Sequence, residues 1–143
     1  MTMPLAERAA RTDAVVRRFR KKAFDWRKAA TCIHLARAQA VAMGHRLPPV
    51  KRFQSPLAAK RVLAELGHAD VIALLDAMFP GCRIPPAGML VGDLCAVPGE
   101  AGLSAVFVCG GAKMFGWHQE AGDAFAVIAL DRGEVEAAWR LGA

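Results

Sequence analysis

Phe24-Asp25-Trp26-Arg27-Lys28-Ala29-Ala30-Thr31-Cys32-Ile33-His34-Leu35-Ala36-Arg37 leads from an aromatic and charged approach into an Ala-rich, helix-favouring run. Thr31 carries a hydroxyl able to cap the first free N–H groups of a helix, and the spacing predicts that helix from about Thr31 to Met43. Gly44 supplies the residue type on which helices close. Cys32 therefore stands at the helix start. A thiol there meets the positive end of the helix dipole and converging N–H groups, both of which favour thiolate. The same position also suits a small buried hydrophobe. Which of the two it is separates an enzyme from a scaffold.

Upstream, residues 1–23 read as a basic amphipathic helix, with Leu5, Ala9, Val15, Val16 and Phe19 as its apolar positions. Downstream, Leu47-Pro48-Pro49-Val50 breaks the chain. Ser55-Pro56 opens a further helix that closes at Gly67, and Asp70 to Met78 forms another, stopped by Pro80-Gly81. The second half changes character. Met89–Val91, Leu94–Val97, Ala105–Val108 and Phe125–Leu130 are short apolar runs separated by Pro98-Gly99, Gly110-Gly111 and Asp131-Arg132-Gly133, the pattern of strands and turns. A last short element spans Glu134 to Leu141. Helices first and strands second predict an α+β domain, with N-terminal helices packed on a small antiparallel β-sheet.

The 143 residues suit one domain, 1–143, and 55% apolar against 22% charged residues argues against disorder. So high an apolar share also suggests surface buried against a partner. No apolar run approaches the roughly 18 residues needed to span a bilayer, and the N-terminus lacks a signal-peptide core. Synthesis in the cytoplasm and no membrane-spanning segment are the expectations. The net charge of +6 is concentrated in Arg17-Arg18-Phe19-Arg20-Lys21-Lys22, with Arg27 and Lys28 following. Such a cluster fits nucleic acid or an anionic envelope polymer, or is simply a solvated helix face favoured by the dipole.

Cys32, Cys82, Cys95 and Cys109 match no compact zinc signature, and no metal or other cofactor is expected. Cys95 and Cys109 lie in strand-like runs and read as core. A cysteine nucleophile needs a base, normally histidine. His34 follows Cys32 by two residues, about 200° around a helix, and cannot face the thiol. His45 reads as exposed and His68 as a local cap. His118, in the strand-rich half, remains as the candidate base. Asp93 reads as a turn or backbone cap. Trp26 and Trp117 read either as groove-lining residues or as core.

Cys32 opening a helix, then Val91-Gly92-Asp93-Leu94-Cys95-Ala96-Val97, then Ser104–Gly111, then Lys113–His118, resembles the NlpC-type cell-wall cysteine peptidases, compact relatives of papain. In that family a Gly-Asp-Leu strand precedes the strand carrying the base, and a third polar residue follows. The likeness covers about residues 24–118 and implies an NlpC-like core over 24–143. The Phe-Asp-Trp…Thr-Cys-Ile-His-Leu-Ala signature, with 24–45 and 89–118, resembles small phage and prophage tail-tip proteins still more closely. This chain departs from the peptidase pattern. Thr31 and Ile33 flank the cysteine where the family has Asp and Ser, and Ser104 or Ala105 stands where the base belongs. Loss of a general base typically removes a factor of about 10²–10⁴ from the rate.

The resemblance thus implies a tail-tip component with a peptidoglycan-hydrolase-like fold in degenerate, structural form, carried in the virion after cytoplasmic synthesis. Its implied partners are other tail-tip and hub proteins, and peptidoglycan. The alternative is an active cysteine peptidase, Cys32 as nucleophile and His118 as base, cleaving peptidoglycan stem peptides. A basic nucleic-acid-binding module is the third reading. It lacks a recognisable fold signature, and the strand half holds few basic residues.

Overall fold

A computed structural model describes residues 3–25, 28, 30–48, 55–99, 104–117 and 124–142. Among the described residues four α-helices come first: α1 (Leu5–Phe19), α2 (Cys32–Ala42), α3 (Pro56–Glu65) and α4 (Val71–Met78). The caps read from sequence form. Thr31 accepts from the His34 N–H, Ser55 from Ala58, and Asp70 from Ala73. At the far end of α2, Gly44 turns left-handed at φ 98°, and the His45 N–H reaches back to Ala40 O at 2.9 Å.

Six strands follow among the described residues: β1 (Arg83–Ile84), β2 (Leu94–Val97), β3 (Ala105–Cys109), β4 (Lys113–Trp117), β5 (Phe125–Ala129) and β6 (Ala137–Trp139). They form one antiparallel sheet in the order β1-β6-β2-β3-β4-β5. The chain is α+β. All of β2 is buried, so both faces of the central sheet are covered.

Alternation along the strands divides the core in two. On one face Leu94, Ala96, Val106, Val108, Trp117 and Trp139 pack with Phe19, Leu35, Ala36 and Leu75 of the helices. On the other, Cys95, Val97, Phe107, Cys109, Met114 and Ala138 are closed over by Met89 and Val135. These last two flank single 3₁₀ turns at Pro86–Gly88 and Arg132–Glu134. Among the described residues, no helix is long and apolar enough to cross a membrane.

Three expectations are corrected. Met89–Val91 is not a strand: Leu90 and Asp93 close a turn, with the Asp93 N–H on Leu90 O at 3.1 Å and the Leu90 N–H on Asp93 Oδ2 at 2.8 Å. Met89 is apolar because it covers the sheet, not because it pairs in it. The buried stripe of α1 is Arg8, Thr12, Val15 and Phe19, whereas Leu5 and Ala9 are exposed. His45 is half-buried, not exposed, with its ring edge-on to Phe79 at 5.4 Å. The final segment, read without a type, divides into the 3₁₀ turn and β6. Arg83–Ile84 adds an edge strand that two residues could not announce.

Candidate functional site

Cys32 is the first residue of α2, and α2 lies on β3. Backbone hydrogen bonds reach the thiol from Cys32 itself, from Ile33, and from Val106 of β3. The sheet register explains the last of these. In the β2–β3 ladder Ala96 stands opposite Val106, whereas β3–β4 pairing extends only over Val108↔Phe115 and Cys109↔Met114. Val106 thus lies beyond that second ladder, beside the helix start. These bonds favour thiolate, yet burial outweighs them and pushes the Cys32 thiol above its ordinary range. The residue as a whole keeps partial exposure. At neutral pH the sulfur is a protonated thiol.

His34 is buried, and its Nδ1 lies 2.7 Å from Thr31 Oγ1. His118 and Trp26 lie outside the described residues. Ser104, at the expected position of the base, hydrogen-bonds Glu136 Oε1 at 3.2 Å, and Ala105 stands opposite Val97. Trp117 is core. Its ring meets Phe19, Phe24 and Phe125 edge-on, and its indole N–H donates to Lys22 O at 3.0 Å. That last bond ties the end of α1 to β4 just ahead of the Cys32 segment.

Cys95 and Cys109 are fully buried. Burial and the neighbouring Cys109 thiol push Cys95 up to about 12, and burial likewise raises Cys109. Both behave as small hydrophobes.

The strongest polar constellation is one that sequence reasoning missed. Asp93 is completely buried and accepts from four groups. Arg8 Nη2 is at 2.5 Å and Arg140 Nε at 2.8 Å, with the N–H groups of Leu90 and Leu141 at 2.8 and 3.1 Å. Arg8, itself completely buried, uses its other nitrogens on Val91 O at 2.8 Å and Leu141 O at 2.5 Å. Gln39 of α2 extends the cluster, donating to Thr12 Oγ1 at 3.0 Å and Gly92 O at 3.1 Å. Gly92 is required there: its φ is 95°, and a Cβ would stand 2.9 Å from Met43 Cε. Asp93 does cap backbone, as its turn context suggested, but it also binds two guanidinium groups. The available signal was an arginine in register with Thr12, Val15 and Phe19 on one helix stripe.

The two constellations differ chemically. Among the described residues, Gln39 Oε1 is the one buried side-chain polar atom of the Asp93 cluster without a partner. That arrangement holds structure and offers no reactive atom. Cys32 is the group with chemistry to give, and its described polar neighbours are backbone.

A family model described as a domain of unknown function (DUF6950) matches residues 3–141, and the chain belongs to that family. No curated protein and no solved structure matches it.

Proposed function

We propose that this protein is a phage or prophage tail-tip component that keeps an NlpC-type, papain-like fold in structural form, without peptidase activity. The likeness of fold is supported by the order of parts. A helix opened by Cys32 lies on the strand after Gly92-Asp93-Leu94, and a further antiparallel strand follows. One observation carries the loss of activity. Where β3 meets the cysteine, the contact is the Val106 backbone and the thiol is held protonated by burial. The N–H groups of Cys32 and Ile33 suit an oxyanion, and among the described residues no side-chain base acts on the sulfur to draw its proton at neutral pH.

The test compares wild type with Cys32→Ala and His118→Ala on purified peptidoglycan, reading stem-peptide release by mass spectrometry. The expected outcome is no release above the variants. Release by wild type that both substitutions abolish would establish the active peptidase instead. Tail-tip residence is checked separately, by finding the chain in purified tail particles at fixed stoichiometry; consistent absence from them rejects that part of the reading.

A further inference from the structure

The end of α1 holds a concentration of charge that neither the fold nor the Cys32 site uses. Arg18, Arg20, Lys21 and Lys22 are exposed, and none of them pairs with a carboxylate among the described residues. Arg17 beside them is neutralised by Asp13 at 2.9 Å. Two of the four cations are positioned. The Arg18 guanidinium lies 5.1 Å and the Lys22 ammonium 5.0 Å from the centroid of the same Phe19 ring. That bounds their separation at about 10 Å. Phe19 is in turn fixed edge-on against buried Trp117. Like charges held this close repel one another, and a bound anion relieves the repulsion.

We infer that this basic end of α1 docks a linear phosphate-bearing polymer, read by charge through its phosphates and not by bases. The guanidinium forks of Arg18 and Arg20 can each take two phosphate oxygens. Nucleic acid fits less well. Among the described residues Phe19 and Trp117 are buried and the exposed large apolar side chains are all aliphatic, so the described surface offers bases no stacking platform. The exposed cations also fall within the five residues from Arg18 to Lys22, a short patch that suits one or two phosphates and not a groove-length contact.

The inference stands apart from the Cys32 reading, and Cys32→Ala should bind as wild type does. The probe is fluorophore-labelled linear polyphosphate, followed by anisotropy. With about two phosphate charges neutralised, affinity should fall about 7- to 12-fold between 50 and 200 mM salt. The doubly substituted Arg18→Gln, Lys22→Gln protein, with unchanged circular dichroism, should bind at least about tenfold more weakly. Lys60→Gln with Arg61→Gln, on exposed α3, should bind normally. Equal binding by the two doubly substituted proteins overturns the site. Polyglutamate of matched charge binding as tightly overturns the phosphate assignment. Single-stranded DNA of matched charge binding tenfold tighter makes the ligand nucleic acid and overturns the polymer class.

Discussion

The two ends of α2 solve opposite problems. At its start a single sulfur is enclosed beside backbone N–H groups, and burial keeps it uncharged. Along its second half Gln39, with Met43 just beyond the helix end, packs on the turn at Gly92, where two arginines and an aspartate pair with one another. An isolated group in low dielectric gives up its charge, and a fully matched set keeps it. The lesson is that burial alone does not mark a reactive site. What matters is whether the group has been left a proton to exchange.

The hardest test of this contrast is Asp93→Ala. It strands Arg8 as a buried, uncompensated guanidinium and should cost about 3–5 kcal/mol in chemical denaturation. A cost under about 1 kcal/mol would show that the cluster is solvated and the contrast false. Replacing Arg8 and Asp93 together with apolar residues should recover part of that loss, and a double-mutant cycle measures how much. Gly92→Ala comes next, at about 1–3 kcal/mol, because it combines a left-handed backbone with contact on Met43 and Thr12. At the other end of α2, Cys32→Ala should change stability by about 1 kcal/mol or less. Iodoacetamide should modify native Cys32 more slowly at pH 7 than it modifies a free thiol, the rate rising with pH above the ordinary thiol range. A fast reaction at pH 7 would mean an activated thiolate.

The smallest effect is pH-dependent. His45 Nε2 accepts the Gly142 N–H at 3.2 Å, and burial lowers its pKa. The unfolded chain therefore binds this proton more tightly than the folded one. The contribution of His45 is complete above the unfolded value near 6.5 and is lost as pH falls toward the depressed folded value. Denaturation midpoints measured from pH 7.5 to 5 should fall more steeply in wild type than in His45→Gln, and parallel curves would remove His45 from the account.

Local chemistry was legible in the sequence wherever it acts over a few residues. Thr31, Ser55 and Asp70 cap helices because their side chains reach an N–H three residues on, and Gly44 closes α2 through its own backbone. Long-range partnerships were not legible. Arg8 and Asp93 are 85 residues apart, and nothing in Gly92-Asp93-Leu94 names a guanidinium. Met89-Leu90-Val91 misled because three apolar residues look alike whether they pair in a sheet or lie over one. At the candidate site the position of Cys32 followed from its cap, while its protonation depends on burial in the folded domain, which no local pattern announces.

The reach of Arg8 also sets a schedule. Its carbonyl partner on Leu141 lies 133 residues further along the chain. At about 5–20 residues per second, synthesis separates the two by about 7 to 27 s. Arg8 lacks its neutralising carboxylate until Asp93 is made, 85 residues on, and lacks its last buried acceptor until Leu141 follows, so α1 gains by staying in water. The clasp that finishes the fold is thus also a timer: the first helix should settle onto the sheet last, when the final strand leaves the ribosome.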